Sequence, residues 1–196
     1  MRQLAILSFV SLDGVMQAPG SADEDKSGGF THGGWAAPYW EGVMPEVERV
    51  AMAQPYDILF GRRTYDIFAG HWPTAPRSTV SERLNASRKY VVTSSPGPFP
   101  WQNSVPVTGD IASKISALKA EDGPLIQVHG SAGLIQLLHR EKLIDLYRIW
   151  TFPVVLGTGK RLFEPGCSHR PLTLDRVEHY SNGVTMQTYL RTPTAD

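Results

Sequence analysis

Cysteine is almost missing: Cys167 is the only one in 196 residues. That excludes an internal disulfide framework and fits a reducing compartment. An excess of either charge is missing too. Nineteen Lys and Arg balance nineteen Asp and Glu, so the long-range field that gathers nucleic acid or an anionic membrane is absent, and any anion site must be local. No apolar run approaches bilayer-spanning length. Met1-Arg2-Gln3 leads at once into Leu4 to Val10, a run that ends at a turn rather than at a cleavage site. The chain is therefore expected to be cytoplasmic, to bind neither nucleic acid nor membrane, and to fold as one domain over residues 1–196. Metal-ligand spacing is lacking among His32, His71 and His129, so no metal is expected. Cys167, on a loop with no histidine base beside it, reads as a bystander rather than a nucleophile.

What the sequence does contain is strands alternating with helices. Leu4 to Val10 is a nearly continuous apolar run, the pattern of a central strand covered on both faces. Ser11-Leu12-Asp13-Gly14 turns the chain into residues 17–38, crowded with Gly, Pro, Ser, Asp and His, which predicts a long irregular loop. A loop of that length is functional or disordered, and Trp35, Tyr39 and Trp40 at its end favour function. The spacing of Val43, Val47, Val50 and Ala51 predicts one amphipathic helix from about Tyr39 to Gln54. Strands are expected at 57–60, 88–93 and 125–129, and helices from Gly61 to near Gly70, from Ile111 to Ala120 behind Asp110 as N-cap, and from Leu134 to Arg140. Leu143 to Val155 is strand-like, a long apolar run that would pair or pack at a subunit boundary. Segments 172–180 and 184–190, joined at Ser181-Asn182-Gly183, read as a closing hairpin. The fold class that follows is α/β in three layers: a central mixed sheet, mostly parallel with an antiparallel edge, flanked by helices.

Three turns carry the functional signal. A glycine turn between strand and helix lets backbone N–H groups approach an anion, and the helix N-terminus adds favourable electrostatics. Gly61-Arg62-Arg63-Thr64 offers this with two guanidiniums and a hydroxyl, a set suited to phosphate. Gly130-Ser131-Ala132-Gly133, leading to Leu134, offers backbone donors and one hydroxyl without charge. Thr93-Ser94-Ser95 places three hydroxyls where a strand ends, and ligands gather at such ends in α/β sheets. Each has a plainer reading: a tight connection for the glycine pair, solvated surface charge for Arg62 and Arg63, an ordinary turn for the hydroxyls. Their joint occurrence after three strands, which parallel pairing would align along one edge, favours a dinucleotide.

With these motifs, Ser11-Leu12-Asp13-Gly14, Val91-Val92-Thr93-Ser94-Ser95, His129 to Leu134 and Pro153 to Phe163, nearly the whole chain resembles the dihydrofolate reductase superfamily. The branch it resembles is the reductase domain of riboflavin biosynthesis, the RibD C-terminal-like proteins. That resemblance implies a sheet of about eight strands, NADPH as cofactor and a homodimer. It also implies roles: Arg62 toward the adenosine 2′-phosphate, Arg63 and Thr64 toward the pyrophosphate, Ser94 and Ser95 toward the adenosine, and Gly130 to Leu134 on the pyrophosphate's other flank. One departure matters. Folate enzymes carry a carboxylate on the first helix after a Trp, two residues, Pro and one residue; here Trp35 and Pro38 are followed by Trp40 at that place, with Glu41 one residue later. A helix turns about 100° per residue, so Glu41 is not a direct substitute and dihydrofolate is not the expected substrate.

Hydride transfer needs a held electrophile and often a proton source. Asp13 and Glu41 are the candidates, although Asp13 also suits a cap on the Gly14 turn and Glu41 a solvated helix position. Trp35, Tyr39 and Trp40, with Asp13, Gly14 and Val155, are the candidate substrate residues. The aromatics would form a stacking wall or simply core. The expected function is an NADPH-dependent reductase of a small planar heterocyclic or carbonyl-bearing metabolite. The alternative is a non-catalytic dinucleotide- or ligand-binding homodimer descended from a reductase.

Overall fold

The computed structural model describes residues 1–95 and 97–192; Pro96 of the expected Ser94 to Gly97 turn, and residues 193–196, lie outside them. Eight strands form one sheet: β1 (Leu4–Ser11), β2 (Tyr56–Gly61), β3 (Lys89–Val92), β4 (Ser104–Val107), β5 (Leu125–His129), β6 (Leu146–Phe152), β7 (Leu172–His179) and β8 (Thr185–Arg191). Their order is β4-β3-β2-β5-β1-β6-β8-β7. The first six run parallel, and β8 is antiparallel to both of its neighbours. Parallel strands need both faces covered, and five helices do this: α1 (Trp40–Val47), α2 (Arg62–Ala69), α3 (Thr79–Ala86), α4 (Ile111–Ala120) and α5 (Ala132–Arg140). One core gathers Val43 and Val47 of α1, Tyr65 of α2 and Leu84 of α3 against Leu7, Ile58, Phe60 and Trp150. The other gathers Ile115 of α4 and Ile135 and Leu138 of α5 against Leu4, Ile6, Ile126, Val128 and Tyr147. The three layers and the antiparallel edge agree with the sequence reading.

Several elements differ from expectation. The helix expected over 39–54 is α1 followed by a π turn at Glu48–Met52; Pro45 inside α1 brings no N–H, which weakens the ladder where the change begins. Strand β4 and helix α3 had no counterpart in the sequence reading. The strand-like run 143–155 contracts to β6, which is hydrogen-bonded on one side to β1 and on the other to β8. An interior strand has no edge to offer, so β6 cannot pair with a second chain; the free edge on that side is β7. Residues 17–38 are irregular as expected, with two short 3₁₀ turns. Ala18, Phe30, Trp35 and Ala36 are buried in the first core, and polar contacts add to this hold: Gln17 Nε2 donates to the carbonyls of Asp25 (3.0 Å) and Ser27 (2.9 Å), and the Lys160 N–H donates to Gln17 Oε1 (3.0 Å). Lys160 Nζ reaches the Asp25 carboxylate and donates to Ser27 Oγ at 2.7 Å.

Candidate functional site

Because β3, β2 and β5 are adjacent and parallel, the turns after them meet along one edge of the sheet. The contact is direct. The Gly61 N–H donates to Ser131 Oγ (3.0 Å), and the Ser131 N–H donates to Thr64 Oγ1 (3.1 Å). Gly130 has φ +58°, and a Cβ there would stand 3.1 Å from Thr64 Cγ2, so glycine permits both the left-handed turn and the close approach. Beyond the third turn the chain reaches Arg62, whose guanidinium lies over the Phe99 ring at 5.4 Å. Thr93 Oγ1 accepts from the Ser95 N–H (3.0 Å), and Ser95 Oγ donates to the Gly97 carbonyl (3.2 Å); Ser94 is exposed.

The donors left for a ligand follow from this. Ser131 and Thr64 spend polar atoms on stitching the turns. Helix α5 begins at Ala132 rather than Leu134, so Ala132, Gly133 and Leu134 supply first-turn N–H groups with no acceptor inside the helix; the Leu134 side chain itself is buried core. Helix α2 opens on Arg62, Arg63 and Thr64 in the same way. Arg63 is largely exposed and 3.7 Å from Asp25, which brings the 17–38 loop to the Gly61–Thr64 turn. Two helix N-termini, a glycine turn and two guanidiniums fit a pyrophosphate with an additional phosphate nearby.

Beside these turns, over the ends of β1 and β6, Phe152 is enclosed by aromatic rings. Trp35, Tyr39, Trp40 and Phe9 lie at 5.4, 5.5, 5.7 and 5.8 Å, all near perpendicular, and Phe9 meets Trp40 at 5.0 Å. Trp35 is core, its Nε1 donating to the Gln17 carbonyl (2.7 Å). Tyr39 and Trp40 are half-buried and form the accessible part of the wall. Val155 is 68% exposed and borders this end of the sheet. Phe9 and Phe152 were not singled out in the sequence, where residues inside an apolar strand run carry no mark of which face they occupy.

Asp13 and Glu41 are not brought together with a proton to give. Gly14, at φ +84°, turns the chain by donating its N–H to the Ser11 carbonyl (2.9 Å). Asp13 then accepts from Ser11 Oγ (2.7 Å) and from the N–H groups of Leu156 (3.1 Å) and Gly157 (2.8 Å). The Ser11 hydroxyl, against some opposing burial, and then those two N–H groups hold its pKa at about 2, so at neutral pH Asp13 is an anion clamping the segment after β6. Glu41 is exposed on the first turn of α1. One buried polar group to which the sequence assigns no role is His129, at the end of β5. Its Nε2 pairs with Gln127 Oε1 (3.1 Å), while Gln127 donates to the Ala51 carbonyl in the π turn.

Two open hollows are lined by no residue of the three turns. One of about 570 Å³, lined by Tyr56, Asp57, Arg83, Arg88 and Asn103 among others, is at the end where the parallel strands begin, opposite to where ligands gather in such sheets. The other, about 460 Å³, lies between Gly28-Gly29-Phe30 and Thr158-Gly159-Lys160. Among the described residues, no helix is long and apolar enough to cross a membrane, and no group of three or more His, Cys, Asp or Glu is placed to hold a metal ion.

Layers, strand order and the alignment of the three turns define a dihydrofolate reductase-like fold. It is shared, at a TM-score of 0.59 and 13% identity over 97% of each chain, with dihydrofolate reductase from Enterococcus faecalis in complex with NADP(H) and RAB-propyl. A Shewanella sp. PV-4 protein provisionally assigned to riboflavin biosynthesis gives a TM-score of 0.66 at 21% identity, over 98% of this chain and all of that one. Within this fold the chain belongs to the RibD C-terminal domain family, whose model matches residues 2–186. The uncharacterised protein YyaP of Bacillus subtilis (strain 168) is 27% identical over 136 residues, 67% of this chain and 72% of that protein.

Proposed function

We propose that the protein is an NADPH-dependent reductase of a small planar heterocyclic or carbonyl-bearing metabolite other than dihydrofolate. The observation that carries this reading is the joining of two turns, Gly61 and Thr64 to Ser131, with Arg62 lying over Phe99, which gathers two helix N-termini and two guanidiniums at one edge. NADPH, when bound, supplies the hydride. Arg62 would face the 2′-phosphate, Arg63 and Thr64 together with the N–H groups of Ala132 to Leu134 would face the pyrophosphate, and Tyr39 and Trp40 would stack a flat substrate and exclude water. Asp13 keeps the segment after β6 in register with this wall.

NADPH is expected to bind more tightly than NADH, and Arg62→Ala to weaken NADPH by roughly ten- to a hundredfold, since a charge-assisted contact is worth about 1.5–3 kcal/mol. Fluorescence titration measures both. Equal affinities for the two cofactors, or an Arg62→Ala variant that binds as wild type, remove the assignment. The second reading, a dinucleotide-binding protein without turnover, is favoured by one observation: Asp13 is a committed anion and Glu41 is exposed. A panel of flavin precursors and carbonyl compounds, followed by NADPH consumption, separates the two.

Assembly as a homodimer belongs to the same proposal, and the surface that supports it is β7. Its outer edge is unpaired in the sheet, and Leu174 and Val177 on it are 53% and 60% exposed, the kind of edge that proteins cover. Light scattering at micromolar concentration is expected to give twice the chain mass. A monomer mass counts against it.

A further inference from the structure

We propose that Asp66 is a specificity-determining residue that competes with the cofactor's 2′-phosphate for Arg62 and so limits the preference for NADPH over NADH. The inference rests on the cofactor reading above and adds a residue that opposes it. Arg62 is the first residue of α2 and Asp66 lies one turn further on. Residues four apart on a helix are neighbours, and here Arg62 Nε meets both oxygens of the Asp66 carboxylate, at 2.9 and 3.0 Å. The guanidinium is also placed over the Phe99 ring. Its two terminal nitrogens make no hydrogen bond among the described residues, so they form the edge a phosphate would use.

A 2′-phosphate on that edge stands one guanidinium away from Asp66, and two anions then share one cation. The sign of the net effect depends on whether Asp66 helps more by orienting Arg62 or hinders more by repelling the phosphate. Orientation is the smaller effect. Both side chains are substantially solvated, at 34% and 52% exposed, and exposed helix pairs of this spacing are weak. The Phe99 ring holds the guanidinium independently. Repulsion between a carboxylate and a phosphate of nearly two charges at such separation is larger, even with solvent screening. NADH carries a hydroxyl in place of the phosphate and is indifferent to Asp66. The sequence thus places an attractive arginine and a repulsive aspartate within one helical turn, and discrimination between the cofactors is the difference between them.

The experiment is a set of fluorescence titrations of wild type, Asp66→Asn and Arg62→Ala with NADPH and with NADH, repeated at low and high salt. Asp66→Asn is expected to bind NADPH about tenfold more tightly, to leave NADH within about twofold, and to show a smaller gain at high salt. Circular dichroism verifies that the variants fold, and Asp66→Ser provides a second neutral side chain should Asn perturb α2. If wild type binds NADPH and Arg62→Ala loses it, but Asp66→Asn and Asp66→Ser bind no more tightly than wild type, the role of Asp66 is overturned and the cofactor reading stands. If wild type binds neither dinucleotide, or Arg62→Ala has no effect, both fall together.

Discussion

Lowering the pH from 6.5 to 4 is expected to cost the protein about 3 kcal/mol of stability through one buried imidazole, His129. Burial first, and then the nearby Arg148 charge, push its pKa down to about 4. The unfolded chain binds the proton near the ordinary value of about 6.5. Between those two values the unfolded state carries a proton that the folded state refuses, so stability rises with pH across this window and falls as pH descends through it. The 2.5 units between them, at about 1.4 kcal/mol each, set a limit of about 3.5 kcal/mol over all pH; half-titration at each end of the window leaves about 2.7 kcal/mol between pH 6.5 and 4, hence the stated cost. Geometry explains the refusal. Gln127 donates its amide to the Ala51 carbonyl and turns Oε1 toward His129, which selects the neutral imidazole that carries its hydrogen on Nε2. A second proton, on Nδ1, would find the rings of Tyr56 and Phe60 packed nearby and Arg148 as the neighbouring charge. Carboxylates held below their usual range, such as Asp13 at about 2, lose their contribution at lower pH, which leaves the interval from 6.5 to 5 to His129. Urea unfolding across this interval should show a slope in wild type that His129→Gln abolishes, whatever the variant's stability at pH 7. Equal slopes in the two proteins would sink the assignment.

The features that could be read from sequence share a short range. Gly61-Arg62-Arg63-Thr64 and Gly130-Ser131 announce turns by backbone conformation and local charge, and Asp110 caps α4 through the Ser113 N–H (3.1 Å), a contact three residues away. Strands β1 and β5 are buried on both faces, so their apolar runs are nearly continuous, interrupted only by Ser8 and Gln127 before their polar last residues. The Asn182-Gly183 pair marks the β7–β8 hairpin. The features that escaped depend on distant partners or on weak local patterns. Strand β4 contains Pro106, tolerated because this strand is at the sheet's edge and has only β3 beside it. Helix α3 is half polar, and its start is set by a reciprocal Ser78–Ser81 capping box in place of the more recognisable Ser-x-x-Glu. The length of an apolar run says that a strand is buried but not where it lies in the sheet order, so the interior place of β6, with no edge to pair, was not legible.

The site divides in the same way. Which turns carry donors suited to phosphate was legible because turn chemistry is local, and their alignment along one sheet edge followed once the strands were taken as parallel. What Asp13 does was not legible. Its partners Leu156 and Gly157 lie more than a hundred residues away, and from its neighbours alone a clamp and a proton donor look alike. Asp25 is similar: only the fold brings Lys160 and Arg63 to it, making the irregular loop part of the same edge as the turns.

Dihydrofolate is expected to be reduced at least about a thousandfold more slowly than a folate-specific enzyme reduces it, even at saturating NADPH. A pterin is held by a carboxylate that pairs with its amino group and ring nitrogen; losing a charge-assisted contact to a buried polar edge costs both affinity and orientation, and misorientation alone is worth orders of magnitude in rate. In this chain the residue at the corresponding place on the first helix is Trp40. Its ring stands edge-on to Phe9 at 5.0 Å and to Phe152 at 5.7 Å, so indole occupies space over the ends of β1 and β6 where the acid would project. Neither nearby carboxylate replaces it. Glu41 is one residue further along and exposed, about 100° around the helix, while Asp13 is already engaged by Ser11, Leu156 and Gly157. A flat substrate without a pterin's donor edge loses nothing by this exchange and gains an aromatic surface. The assay is NADPH consumption with dihydrofolate beside the panel of flavin precursors and carbonyl compounds. Robust turnover of dihydrofolate that disappears in Glu41→Gln would show that this side chain does reach the substrate, and the reading of Trp40 would fail.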